Sequence, residues 1–142
     1  MAKNEARTNV EARLREAELR LTPQRFAVLE CLTRAGGHPS ADEIAIEINR
    51  RFPRASRATV YNALRALRDA GLVREVLSAE AVTRYESNVE THHHFVCRVC
   101  GKLEDVPLDA FTATPPARIE GGHNVETYEV VLRGVCAKCR RK

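Results

Sequence analysis

At 142 residues the chain has room for one ordinary domain or two small ones sharing an interface. Hydrophobic residues make up 44% of it, enough for a packed core, but aromatics are only 5% and tryptophan is absent, so that core is aliphatic. No run approaches the ~18 apolar residues of a membrane span, and the charged start MAKNEARTNVEARLREAELR lacks the apolar centre of a signal peptide, so a soluble cytoplasmic protein without a membrane partner is expected.

The net charge of +4 is unevenly shared: residues 1–84 hold 15 Lys/Arg against 11 Asp/Glu, and residues 85–142 hold 8 of each. The excess peaks at Arg50, Arg51, Arg54, Arg57, Arg65 and Arg68, a window with no acid. Arginines that neutralise phosphates release the counterions of a duplex. A charge run is more often an ordinary solvated face, so charge makes nucleic acid plausible and no more.

In chain order, Val10, Leu14 and Ala17 lie at helical spacing with charges between them, a short amphipathic helix over residues 10–19. Thr22-Pro23 then gives a cap and a proline at the first helical position. Phe26, Val28, Leu29 and Leu32 supply the apolar stripe of that helix, and Gly36-Gly37 stops it. Ser40 and Glu43 have capping-box spacing ahead of Ile44, Ile46 and Ile48, with Pro53 closing the helix. In SRATVYNALRALRDAGLV, Ser56 can cap, Val60, Leu64 and Leu67 face inward, and Gly71 ends the helix. LVREV begins a strand, and residues 77–80 suffice for a hairpin turn before AVTRYES. Helices followed by a two-stranded wing describe a winged helix-turn-helix, whose second helix enters a major groove. Arg57, Tyr61 and Arg65 recur every four residues on its face opposite the leucines. Arginine can fork onto guanine, and tyrosine can present its ring to a thymine methyl.

Cys97-x-x-Cys100 and Cys136-x-x-Cys139 are two equal pairs, each offering two thiolates, and together they complete a tetrahedron. A lone pair of this spacing could be a redox dithiol, and an iron–sulfur cluster also takes four thiolates. Gly101 behind the first pair and the basic Lys138, Arg140 and Arg141 around the second favour structural zinc. Cys31, on the apolar side of a predicted helix, reads as a buried inert thiol. The stretch HHHFVCRV reads as a strand, which puts His92 and His94 on one face and His93 with Cys97 on the other. Glu86, Glu104 and Asp105 are the nearby carboxylates, and a mixed nitrogen–oxygen site suits iron(II), manganese, nickel or zinc. An enzyme, either a zinc hydrolase or a thiol oxidoreductase, is the rival class, but four thiolates close a zinc site that catalysis needs open. A zinc-stabilised RNA-binding or assembly protein would explain the cysteines and the charge, yet leaves His92, His94 and Asp105 without a role.

LTPQR (21–25), HPSADEI (38–44), ATVYNALRALRDAGLV (58–73), RYE (84–86), HHHFVCRVCGK (92–102) and GVCAKC (134–139) stand in one order over nearly the whole chain. With these pieces the chain resembles the ferric uptake regulator superfamily of bacterial metal-dependent repressors. The resemblance implies an α+β chain with a winged helix-turn-helix DNA-binding domain (1–85), a hinge (86–91) and an α/β dimerisation domain with the four-cysteine zinc site (92–142). It implies a homodimer that represses transcription from palindromic double-stranded operator DNA, and neither an enzyme nor a binder of a small organic substrate. Cys97, Cys100, Cys136 and Cys139 match the structural zinc site, with one Zn2+ per subunit. His38, Glu86, His92, His94 and Asp105 match the regulatory site, which takes one Fe2+ or Mn2+ per subunit and couples to DNA affinity. Arg57 and Tyr61 match the DNA face, with Arg15 as a minor-groove contact, so the candidate DNA contacts are Arg57, Tyr61, Asn62, Arg65 and Arg15.

Aspartate at Asp105 goes with the peroxide-responsive branch, in which hydrogen peroxide oxidises a histidine ligand of the bound iron(II), here His38 or His92, and DNA is released. The alternative is an iron-, manganese-, zinc- or nickel-status repressor without peroxide chemistry, and Glu86, where the peroxide branch commonly has aspartate, is a departure in that direction. Tyr128 stands near the position of a histidine of the family's optional further metal site, and His123 lies five residues earlier, so no complete third site is expected. Residues 108–122, where the family has a dimerisation helix, carry Pro115-Pro116 and Gly121-Gly122. Proline inside a helix costs ~3 kcal/mol, so this helix is expected to be short or broken.

Overall fold

The structure is a computed structural model that describes residues 2–53, 55–77 and 82–141. Arg54 and the expected hairpin turn at 78–81 lie outside the described residues. The chain divides into two compact units, Met1–Val89 and Glu90–Lys142.

Local signals decide the helices of the first unit. Helix α1 spans Ala2–Glu16 and ends where Glu18 turns left-handed at φ 55°. It starts eight residues before the expected boundary, and residues 2–9 contain no proline or glycine that would break a helix. Helix α2 (Pro23–Ala35) opens with the Thr22 hydroxyl accepting from Arg25 N–H at 3.2 Å. It closes on Gly36 at φ 60°, a left-handed position that glycine adopts without a Cβ penalty. Helix α3 (Ala41–Arg51) carries the full capping box: Ser40 Oγ accepts from Glu43 N–H at 3.2 Å and Glu43 Oε2 from Ser40 N–H at 3.1 Å. Ser56 caps helix α4 (Arg57–Asp69) through Thr59 N–H at 3.1 Å.

The faces these caps aim inward form one aliphatic core: Val10 and Leu14 from α1, Val28, Leu29 and Leu32 from α2, Ile44 and Ile48 from α3, and Val60, Leu64 and Leu67 from α4. Ile46 lies outside it, 61% exposed. Strand β1 (Arg74–Leu77) pairs antiparallel with β2 (Thr83–Glu86), Arg74 opposite Glu86 and Val76 opposite Arg84. The expected first strand began at Leu72, but Leu72 and Val73 serve the helical core instead. Arg13 fastens α1 to the open end of this wing, where the chain enters and leaves it, its Nη2 donating to Leu72 O and Ser87 O, each at 3.1 Å.

The second unit is built on β3 (His93–Cys97), flanked by antiparallel β4 (Leu103–Val106) and by parallel β7 (Val131–Gly134). Between β4 and β7 come a single 3-10 turn, Leu108–Ala110, and a two-residue hairpin of β5 (Arg118–Ile119) and β6 (His123–Asn124). Pro115-Pro116 cannot donate the main-chain hydrogen bonds a continuing helix needs. Gly121 and Gly122 turn the hairpin at φ 94° and 78°, and a Cβ on Gly121 would meet His123 Nε2 at 2.8 Å. A final short helix, α5 (Ala137–Arg140), closes the unit. No helix among the described residues is long and apolar enough to cross a membrane.

Candidate metal centres and the face of the fourth helix

The four cysteines converge because β3 and β7 are parallel neighbours. Cys97 ends β3 opposite Gly134, and the chain leaving Gly134 reaches Cys136, the cap residue of α5, two residues later. Cys100 stands in the turn after β3 and Cys139 one turn along α5. Their sulfurs all lie within 4.8 Å of one another, with Cys100 Sγ and Cys136 Sγ 3.8 Å apart. A tetrahedron with ~2.3 Å zinc–sulfur bonds has edges of about 3.8 Å, so the donors and their spacing fit zinc.

The main chain already favours thiolate here. The N–H groups of Cys100 and Cys136 hold the Cys97 thiol down to about 6, and Cys136 N–H lies 3.3 Å from Cys97 Sγ. The Cys139 N–H lowers Cys136 in the same way, whereas Cys139 itself, hydrogen-bonded to the Cys136 sulfur, is pushed up to about 12. Cys31 belongs to the helical core, 7% exposed, and burial raises its pKa. Thiol titration of the zinc-loaded native protein is therefore expected to find no fast-reacting cysteine, then four after chelation, with Cys31 reacting only on denaturation. A fast thiol before chelation would show that the four sulfurs are not closed around an ion.

A second constellation lies on the other face of β3. His94 is opposite Asp105 in the β3–β4 register, so the two share a face, while Glu104 is opposite Phe95 and pairs with Lys102. Asp105 Oδ1 is 3.1 Å from His92 Nε2 and 3.5 Å from His94 Nε2, and the two Nε2 atoms are 3.0 Å apart. Each ring is held from behind: His92 Nδ1 lies 2.6 Å from Glu90 O and His94 Nδ1 2.6 Å from Glu129 Oε1. A neutral imidazole has one N–H, and in both rings that hydrogen is engaged at Nδ1. With both rings neutral, both Nε2 atoms present lone pairs to each other and to a carboxylate. Three acceptors this close repel unless a cation sits among them. Ligand bonds of ~2.1 Å at right angles give edges of about 3.0 Å, the two-histidine, one-carboxylate face of an octahedral ion.

Sequence reasoning did not find Glu129. It lies two residues before β7, and only the parallel β3–β7 pairing, with His94 opposite Val131, brings it to His94. His93 points to the opposite face, stacked on Phe111 with centroids 4.9 Å apart, and its ring faces Tyr128 at 5.8 Å. The Tyr128 hydroxyl donates to Ala113 O at 2.8 Å.

In the first unit, His38 and Glu86 meet although 48 residues separate them. The loop before α3 is stitched to β2: Tyr85 N–H donates to Pro39 O at 2.9 Å and Arg84 Nη1 to His38 O at 3.0 Å. His38 Nε2 consequently lies 3.0 Å from Glu86 Oε2, with both side chains almost wholly buried. Arg74 Nη1 approaches the other carboxylate oxygen at 3.8 Å. Glu86, expected at the start of the hinge, is the last residue of β2.

Helix α4 turns Arg57, Tyr61, Asn62 and Arg65 outward, with Tyr61 45% exposed. The arginines of α3 and α4 are partly satisfied within the unit. Arg57 Nε donates to Asp42 Oδ1 at 3.0 Å, Arg68 pairs with Glu75 at 2.7 Å, Arg51 with Glu30 at 2.6 Å and Arg50 with Glu47 at 3.2 Å. Exposed pairs of this kind are worth ~0–1 kcal/mol, little enough for a phosphate to displace. Arg65 and Arg15 are exposed cations with no such partner among the described residues.

The model of the Ferric uptake regulator family matches residues 16–133. The peroxide operon regulator of Bacillus subtilis is 36% identical over 143 residues, covering 100% of this chain and 98% of that protein. The peroxide-responsive repressor PerR of Staphylococcus aureus is 36% identical over 132 residues, covering 92% and 89%. Among solved structures, the Campylobacter jejuni peroxide stress regulator superposes with a TM-score of 0.66 at 32% identity, covering 93% of this chain and 97% of that one. The Helicobacter pylori ferric uptake regulator has a TM-score of 0.69 at 22% identity, covering 96% and 93%, a likeness of fold. By the family model and by the extent of these matches, the chain belongs to the ferric uptake regulator family.

Proposed function

We propose that this protein is a metal-dependent transcriptional repressor that binds palindromic double-stranded operator DNA as a homodimer in the cytoplasm, and that hydrogen peroxide releases it by oxidising a histidine ligand of its regulatory iron(II). The observation that carries the reading is the convergence of His92 Nε2, His94 Nε2 and Asp105 Oδ1 within 3.5 Å. That the carboxylate is Asp105, together with curated relatives that are peroxide regulators over nearly their whole length, supports the peroxide branch.

In this reading one ion takes His38, Glu86, His92, His94 and Asp105 as its ligands. Ion occupancy then favours an arrangement competent for DNA. Zinc at the four cysteines is structural. Bound there, iron(II) would activate hydrogen peroxide, one oxygen of which would end on a ligand ring while the other leaves as water, the ring supplying the two electrons. His38 and His92 are the side chains assigned to take up the oxygen, and an oxidised ring no longer offers its lone pair in the same direction. Arg57, Tyr61, Asn62 and Arg65 read the major groove, and Arg15 reaches the minor groove.

The test uses anaerobically purified, iron(II)-loaded dimer on a duplex, treated with a small excess of hydrogen peroxide. Loss of DNA together with a one-oxygen gain on the peptide bearing His38 or His92 is expected, with manganese-loaded protein unaffected. DNA retention with unmodified histidines would move the protein to the metal-status branch.

A further inference from the structure

The two imidazoles of the acceptor cluster are held from behind by groups of different charge. His92 donates its Nδ1–H to a neutral main-chain oxygen, that of Glu90, and His94 donates to the carboxylate of Glu129. A hydrogen bond to an ionised acceptor is roughly twice as strong as one between neutral groups. Glu129 has little freedom to be elsewhere, because the residues beside it are pinned to β3. Val130 O accepts from His94 N–H at 3.1 Å, Val130 N–H donates to His93 Nδ1 at 3.2 Å, and Tyr128 is tied to Ala113. His94 is 0% exposed while the Glu129 side chain keeps 35% of its surface.

We propose that Glu129 is a positioning residue for the regulatory ion: it fixes His94 as the Nδ1–H tautomer that aims Nε2 at the ion, and its charge makes His94 a stronger donor than His92. The inference rests on the reading of His92, His94 and Asp105 as regulatory ligands. Without an acceptor, the buried Nδ1–H either stays unsatisfied or shifts its hydrogen to Nε2, which then offers no lone pair. Outer carboxylates behind ligating histidines typically govern 10–100-fold in metal affinity.

The experiment compares zinc-loaded full-length wild type, Glu129→Gln and Glu129→Ala, titrated with manganese(II) while free ion is counted by its EPR signal. Glu129→Ala is expected to weaken manganese binding by ~10–100-fold. Glu129→Gln is expected to weaken it less, because an amide oxygen still accepts from Nδ1–H. Long-range 1H–15N correlation on the same proteins before manganese is added reads the tautomer. His94 is expected as Nδ1–H in wild type and Glu129→Gln, and as a mixture in Glu129→Ala. A purely structural residue would change thermal stability and leave both readouts alone. Manganese affinity within about twofold of wild type, or an unchanged His94 tautomer, in Glu129→Ala overturns the proposal. Wild-type protein that takes up no manganese beyond its zinc overturns instead the ligand reading beneath it.

Discussion

Stripping zinc from the four cysteines, or replacing Cys97 or Cys136 by serine, is expected to unfold residues 90–142 while the helices of the first unit persist. The reason lies in how burial is distributed. Every member of the aliphatic core cluster lies in the first unit. In the second, the buried side chains among the described residues are Val96, Cys97 and Cys136 with the three histidines, hardly a hydrophobic core. A unit this short is marginal even with a full apolar interior. Binding of structural zinc by such cysteine sets is worth ~10–16 kcal/mol, and that binding energy is folding energy. Limited proteolysis with mass mapping checks it: cuts should appear within residues 90–142 on chelation, with far-UV circular dichroism keeping most of its helical signal. A second unit that stays resistant without zinc would mean that something other than the four thiolates holds it.

The second large effect concerns His94. Its replacement by alanine removes one donor of the acceptor cluster outright and should weaken the regulatory ion by more than the ~10–100-fold typical of losing an outer partner. In wild type, occupancy is expected to raise DNA affinity by ~5–150-fold, the usual range of coupling between sites. In His94→Ala that increment should vanish at manganese concentrations that saturate wild type, while the zinc content stays the same. Fluorescence anisotropy on a duplex selected from random sequence by the manganese-loaded protein measures it, at one fixed salt concentration because phosphate contacts dominate affinity. His94 is wholly buried, so its loss could disturb packing. Asp105→Asn, at a side chain 41% exposed, should abolish the increment without that risk. If manganese still tightens DNA binding in both variants, the switch lies elsewhere in the chain.

Much of the first unit was legible because its signals are local. Thr22, Ser40 with Glu43, and Ser56 act on main-chain groups three residues away, and the apolar stripes repeat within single helices. The four cysteines were legible for a similar reason, since two thiolates at C-x-x-C spacing suffice to suggest an ion. What the sequence withheld depends on partners distant along the chain. Strand β4 is four residues long and lies beside β3 through register alone, so the choice between Glu104 and Asp105 needed the pairing of His94 with Asp105. Glu129 needed a parallel pairing across more than thirty residues. The contact between His38 and Glu86 needed the loop before α3 to bridge to β2. The start of α1 was missed for another reason, since residues 2–9 carry no apolar repeat to mark it.

On the proposed reading of α4 as the DNA-contacting helix, the Asp42–Arg57 pair bears on how such a protein diverges. An arginine held by a carboxylate on the neighbouring helix must be released before it can grip a base or phosphate, so α3 sets how available Arg57 is. Asp42 itself need never approach the duplex. In a lineage of such proteins, drift at position 42 could tighten or relax the hold on operators while every residue of the reading helix stayed as it was. Comparing reading helices alone would then miss the difference between two relatives with separate sets of target genes.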